Sequence, residues 1–203
     1  MKTKGILTLL WAVFFSYTLS AQTEQQGLRV GQSAVDFSLP DQQGKTVHLR
    51  ELLRRGPVIL KWYRGGWCPY CNLELKTFAE NLDSIEALGA TLVAISPEVP
   101  EKAALTANNN QVNFSIISDT DNHLGRKYDL VFTLDKASAD RYENAFQLSA
   151  YQGNHKAELP LPATYVIDQE GIIRYAFLNT DYKQRADIHV VLKELSKLVE
   201  TSH

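Results

Sequence analysis

Cys68 and Cys71 are the only two cysteines in a chain of 203 residues, and Pro69 and Tyr70 separate them. Two thiols at this spacing can close a disulfide with each other and reopen it by exchange with another molecule. The reactive species is the thiolate, so the chemistry depends on what lowers a thiol pKa at this point of the chain. The apolar run Val58 to Tyr63 leads into Arg64-Gly65-Gly66-Trp67, and a helical pattern follows the second cysteine. The pair therefore stands where a strand gives way to a helix. A helix N-terminus offers unpaired N–H groups and a partial positive charge, both of which favour a thiolate. Pro69 suits the first helical turn, where its missing N–H costs nothing.

Three duller uses of the cysteines compete. As a structural staple, so short a loop removes roughly 2 kcal/mol of chain entropy, against about 3 kcal/mol for a loop of about 15 residues. As half of a zinc site, the pair needs two further ligands, and His48, His123, His155, His189 and His203 show no ligand spacing. As inert buried thiols, they sit oddly beside Gly, Trp and Pro, which suit a turn.

The elements that must hold the pair are legible as alternating patterns. Val58 to Tyr63, Thr91 to Ser96 and Thr164 to Asp168 are short apolar runs that predict strands buried on both faces. Leu73, Phe78, Leu82, Ile85 and Leu88 predict helix up to a stop at Gly89, and Pro100 to Asn108 a second helix. Ile188 to Val199 carries a third apolar stripe after a candidate N-cap at Asp187. Strands alternating with helices predict a three-layer α/β/α domain around a largely parallel, mixed sheet. Hairpins are expected at its edges, from Asp36 to Leu49 around Asp41-Gln42-Gln43-Gly44, and from Tyr165 to Phe177 around Gln169-Glu170-Gly171. Residues 134–159 form an insertion. Leu134, Tyr142 and Phe146 share one helical face there, and Tyr151 to Glu158 reads as loop. A packed surface excursion is the preferred reading, over a lid or a dimer contact.

Composition sets the remaining bounds. With 44% apolar and 22% charged residues and a net charge of -2, the chain suits one globular domain and lacks the basic stripe that nucleic acid requires. Lys2 and Lys4, the apolar stretch Ile6 to Tyr17 and the small residues Ser20 and Ala21 follow the order of a secretory signal peptide. The apolar stretch falls short of the roughly 20 residues of a spanning helix. The expectation is a signal peptide over residues 1–21, one domain over 22–203, export to a periplasm-like compartment, and no membrane association after cleavage. Such a compartment favours disulfides.

From Gly27 to Val199 the chain resembles the alkyl hydroperoxide reductase/thiol-specific antioxidant family, in its peroxiredoxin-like branch with a Cys-x-x-Cys. The resemblance lies in Val30-Gly31, Asp36-Phe37-Ser38-Leu39, Val58 to Leu75, Gly89 to Ser96, and Leu161-Pro162-Ala163-Thr164-Tyr165-Val166-Ile167-Asp168. It implies a thioredoxin fold with an N-terminal hairpin extension. The family's Pro-x-x-x-Thr-x-x-Cys pattern places its peroxide-attacking cysteine on Cys71, its Thr on Cys68 and its Pro on Arg64; its later arginine falls on Pro162. Trp67, Cys68, Cys71 and Pro162 instead match the thioredoxin pattern, in which the first cysteine attacks and the proline is cis.

Two mechanisms follow. As a peroxidase, Cys71 attacks a hydroperoxide, Arg64 supplies charge near that thiolate, Cys68 closes the disulfide, and an external thioredoxin-like dithiol reopens it. As an exchanger, Cys68 attacks a protein disulfide, Cys71 resolves, and Pro162 shapes the docking edge. The peroxidase is the leading reading, with the exchanger and a non-enzymatic redox switch as alternatives. No cofactor or metal is called for, and a homodimer is compatible with the chain. Of the supporting residues, Trp67 either shields the disulfide or packs in the core, and Tyr70 is expected exposed. Lys61 is expected to reach solvent at a sheet edge, Glu74 to lie on a solvated helix surface, and Arg185 to stand in a polar loop with the active-site face as the lesser option.

Overall fold

The computed structural model describes residues 27–200, so the expected signal segment lies outside the described residues. A small antiparallel hairpin, β1 (Ser38–Pro40) and β2 (Thr46–His48), comes first and is followed by α1 (Leu49–Leu53). Then come β3 (Val58–Trp62), α2 (Pro69–Glu80), α3 (Leu82–Ala87), β4 (Thr91–Ser96), α4 (Pro100–Asn110), β5 (Ser115–Ser118) and α5 (His123–Lys127). An excursion holds β6 (Val131–Thr133), α6 (Lys136–Phe146), α7 (Leu148–Gln152) and β7 (Glu158–Pro160). The domain closes with β8 (Ala163–Ile167), β9 (Ile173–Leu178) and α8 (Ile188–Glu200).

The central sheet runs β5-β4-β3-β8-β9. β3, β4 and β5 are parallel, whereas β8 lies antiparallel to β3 and β9 antiparallel to β8. The sheet is thus mixed, as expected, and the β8–β9 hairpin supplies two of its five strands. β3 is the middle strand, and its period of two divides the core. Ile59 and Tyr63 face a layer formed by α2, α3, α4 and α8, with Leu75, Phe78, Ile85, Ala103, Val191 and Leu195 packed there. Val58, Leu60 and Trp62 face the other layer, where Phe37, Val47, Leu49, Leu124 and Tyr128 close over them. Each such aliphatic or aromatic side chain contributes roughly 1.5–3 kcal/mol through burial, which is what fixes β3 and the motif at its end. The result is the three-layer thioredoxin fold with its hairpin extension.

Local signals explain most boundaries. Pro100 opens α4, and Asp187 accepts the N–H of His189 at 2.8 Å at the head of α8. Gly89, at φ +71°, lets the Ala90 N–H return to the Ile85 carbonyl, ending the α2–α3 stretch. In the insertion, Asp135 caps α6 by accepting the Ser138 N–H, so Leu134 lies outside the helix that was expected to carry it. Its backbone instead pairs with Ala157. Tyr151, expected in a loop, belongs to α7.

Candidate active site

The chain leaves β3 at Trp62 and turns over Gly65 and Gly66. Gly65 adopts φ +149°, and a Cβ there would lie 2.4 Å from the Trp67 Nε1. A Cβ on Gly66 would stand 2.1 Å from the Thr106 hydroxyl oxygen. Gly66 is also held at both ends of its backbone. Its N–H donates to Glu98 at 2.9 Å, and its carbonyl accepts from the Asn72 side chain at 2.7 Å. Glu98 is fully buried and accepts in addition from Tyr63 (2.5 Å) and Thr106 (2.9 Å). Burial, reinforced by the Glu98 carboxylate, pushes the Tyr63 phenol well above its usual range, so it stays a donor. Glu98 thus anchors the motif's turn, and it is not among the residues expected at the site. Its signal was an acidic residue just beyond the C-terminal end of a buried strand, where α/β folds gather their sites.

Cys68 is the N-cap residue of α2 and Pro69 opens the helix, which places both thiols at its positive end. Both cysteines are free and buried. The Arg64 Nη2 donates to the Cys68 sulfur at 3.4 Å. A hydrogen bond from the Cys71 thiol, followed by this arginine, outweighs burial and draws the Cys68 thiol down to about 5. Cys71 goes the other way. Its burial, and then its neighbour Cys68, push its pKa well above the ordinary thiol value. Arg64 was expected to supply positive charge near Cys71; the structure hands that charge to Cys68, and brings Arg185 to Cys71 instead.

Arg64 is itself 4% exposed and boxed by aromatic rings. Its guanidinium lies 3.8 Å from the centroid of Tyr182, 5.2 Å from Trp67 and 5.9 Å from Tyr142, and Nη1 donates to the Tyr142 hydroxyl at 3.2 Å. Burial alone would weaken its charge, but the Cys68 sulfur outweighs that and holds the guanidinium more firmly protonated than usual. The three rings come from three segments: the motif, α6 and the loop before α8. Trp67 stacks on Phe146 at 5.1 Å and meets Tyr142 edge-on at 5.2 Å, while Tyr70 meets Tyr182 at 5.9 Å. The insertion is therefore a cover over the motif rather than the surface excursion that was preferred. Its helix carried the signal in Tyr142 and Phe146, one turn apart. Tyr70 is exposed, as expected.

Three other residues stand elsewhere than expected. Lys61 lies on the middle strand of the sheet, not at an edge, and only 1% of its side chain is exposed. Glu74 is buried on the inner face of α2 and meets the Lys61 Nζ at 2.8 Å, rather than lying on a solvated surface. Arg185 turns inward from its loop, with Nε 2.9 Å from Glu74 and Nη2 donating to the Cys71 sulfur at 3.7 Å. Pro162 is buried between β7 and β8, and its peptide bond is trans, as are all bonds among the described residues. The expected cis geometry is absent because the chain passes from the β6–β7 pairing directly into β8, with Leu161 donating to the Leu130 carbonyl at 2.8 Å. An extended trans X-Pro step suits that path.

The arrangement is a dithiol whose first thiol is drawn down and whose second is pushed up in pKa, with Arg64 at the first sulfur and Arg185 at the second. Known proteins resemble this chain along most of its length. Residues 30–176 match the model of the AhpC/TSA family. Peroxiredoxin Bcp of Escherichia coli K12 is 27% identical over 170 residues, covering 84% of this chain and 97% of the relative. The thiol-disulfide oxidoreductase ResA of Geobacillus kaustophilus is 23% identical over 190 residues, covering 94% and 92%. Among solved structures, Peroxidoxin BcpB from Mycobacterium tuberculosis superposes with a TM-score of 0.68 at 22% identity, covering 84% of this chain and 98% of that one. With its fold, its paired thiols and a family match across most of its length, this chain belongs to the AhpC/TSA family.

Proposed function

We propose that the protein reduces hydroperoxides through a Cys68–Cys71 dithiol/disulfide cycle in which Cys68 attacks first. The observation that carries this reading is the Cys68 thiol drawn down to about 5 at the head of α2, with Arg64 3.4 Å from its sulfur. At neutral pH that sulfur is a thiolate. It attacks the terminal peroxide oxygen, the O–O bond breaks, and the leaving alkoxide takes up a proton to depart as alcohol or water. Arg64, 3.4 Å from that sulfur, supplies the positive charge that stabilises the leaving oxygen. Cys68 is then a sulfenic acid. The Cys71 sulfur attacks the Cys68 sulfur, and the hydroxyl leaves as water with the Cys71 proton. An external thioredoxin-like dithiol protein reduces the disulfide.

The same low-pKa Cys68, first of its pair and followed by a buried resolving thiol, also favours a second reading, exchange with protein disulfides. A third reading makes the pair a non-enzymatic switch. The basic, apolar and small-residue order of residues 1–21 supports export, with a mature domain from residue 22 in a periplasm-like compartment. A homodimer is compatible with this reading. Stopped-flow tryptophan fluorescence of the reduced protein with hydrogen peroxide or tert-butyl hydroperoxide tests the first reading. Oxidation faster than that of free cysteine is expected. Oxidation no faster than free cysteine, together with insulin reduction lost in Cys68→Ser, would assign exchange. Turnover in neither assay would leave the switch.

A further inference from the structure

The buried charges beneath Cys71 are a poor way to stabilise a fold. Lys61 on the middle strand and Arg185 in the loop before α8 converge on one oxygen, Oε2 of Glu74, at 2.8 and 2.9 Å. Burying three ionised groups is costly, and well-packed apolar side chains of the same volume commonly do as well or better for stability. Lys61 donates further to the carbonyls of Trp62 and Ala163, which fixes its ammonium in place, although burial still pulls its pKa down. The outcome is a cluster of two cations to one carboxylate, and its outer member, Arg185, touches the Cys71 sulfur at 3.7 Å.

We propose that Arg185 is the group that makes Cys71 competent to close the disulfide, and that Glu74 and Lys61 are positioning residues that hold it there. This rests on the reading that Cys68 attacks and Cys71 resolves. In the reduced state Cys71 donates its proton toward the Cys68 thiolate. Once Cys68 has become a sulfenic acid or a mixed disulfide, that acceptor charge is gone. The charged and titratable groups then around Cys71 are Arg185, Arg64, Lys61 and the Tyr63 phenol, with Glu74 behind Arg185 and Lys61. Arg185 stabilises the thiolate that must form before the second S–S bond. In a mixed disulfide the Cys71 proton leaves to solvent, the Cys71–Cys68 bond forms, and the partner departs as a thiolate.

A dithiobis(nitrobenzoate) disulfide separates this step from any reaction with peroxide. Attack by Cys68 releases one thionitrobenzoate, and closure by Cys71 releases the second. In Arg185→Met the second phase is expected to slow about tenfold or more relative to the first, with its pH midpoint moved upward. Arg185→Lys, which keeps a charge but loses the two-pronged reach, should restore part of the rate and most of the midpoint. A second phase in Arg185→Met with the parent's rate and midpoint overturns the proposal. So does an Arg185→Lys variant that behaves like Arg185→Met while both melt like the parent, since the charge would then be irrelevant. A failure of the peroxidase reading appears separately, as slow oxidation by hydroperoxide with both thionitrobenzoate phases intact. A reversed cysteine order appears as rapid release from Cys68→Ser.

Discussion

Arg64 holds its Nη2 3.4 Å from the Cys68 sulfur while the ring of Tyr182 covers the same guanidinium at 3.8 Å. The cation is pinned between an aromatic face and a thiolate, so little reorganisation is needed when negative charge moves from sulfur to a leaving oxygen. Removing it has a defined effect. In Arg64→Met the thiolate ultraviolet absorbance, which should titrate near pH 5 in the parent, moves upward by about one unit or more. Oxidation by hydroperoxide near neutral pH falls by about tenfold or more. An unchanged titration midpoint in Arg64→Met would remove the arginine from the account.

The depressed Cys68 pKa also has a consequence for stability. The unfolded thiol titrates near about 8.5, so between there and about 5 the folded state holds fewer protons than the unfolded one. The thiolate's contribution is fully present above the unfolded value and is lost as pH falls through the folded one. Urea unfolding of the reduced parent and of Cys68→Ser across that window checks this. The difference in stability should grow in the parent's favour as pH rises, and a flat difference would contradict it.

The cover formed by α6 can be loosened without unfolding the domain, because none of its residues is fully buried. Cys68 itself is only 1% exposed, so access to it depends on that cover. The double variant Tyr142→Ala/Phe146→Ala should red-shift Trp67 fluorescence and speed alkylation of Cys68 severalfold, with global stability lowered by about 1 kcal/mol or less. Alkylation at the parent rate would mean that α6 does not guard the thiol.

Glu98 acts on the motif through Gly66. Glu98→Ala takes the acceptor from the half-buried Gly66 N–H and from the buried Tyr63 and Thr106 hydroxyls, at a cost of about 1–3 kcal/mol for each donor left unpaired. Chemical denaturation should show a loss of about 3 kcal/mol or more, and the Cys68 titration should broaden as the loop loosens. A variant as stable as the parent would show that water replaces the carboxylate.

How much of this was legible in the sequence follows from the range of each interaction. β3, β4 and β8 announced themselves because each is an apolar run between turn residues, and α2 and α8 because their stripes repeat at helical spacing. The motif was legible because its parts are contiguous. Lys61, Glu74 and Arg185 were not, since a lone charge in a pattern reads as solvated until its partner is known, and their partners lie far apart in the chain. Glu98 and Tyr182 were hidden for the same reason. Pro162 shows the opposite error: a motif match suggested a cis bond that the path between β7 and β8 does not use.

The order of attack is the central claim, and trapping the sulfenic acid tests it most directly. Reduced Cys71→Ser and Cys68→Ser are each given one equivalent of hydroperoxide with a sulfenate-specific diketone, and the adduct is located by mass spectrometry. The account expects an adduct on Cys68 in Cys71→Ser, formed as fast as the parent is oxidised, and none above the free-cysteine rate in Cys68→Ser. An adduct on Cys71 in Cys68→Ser, formed at the parent's rate, would contradict it.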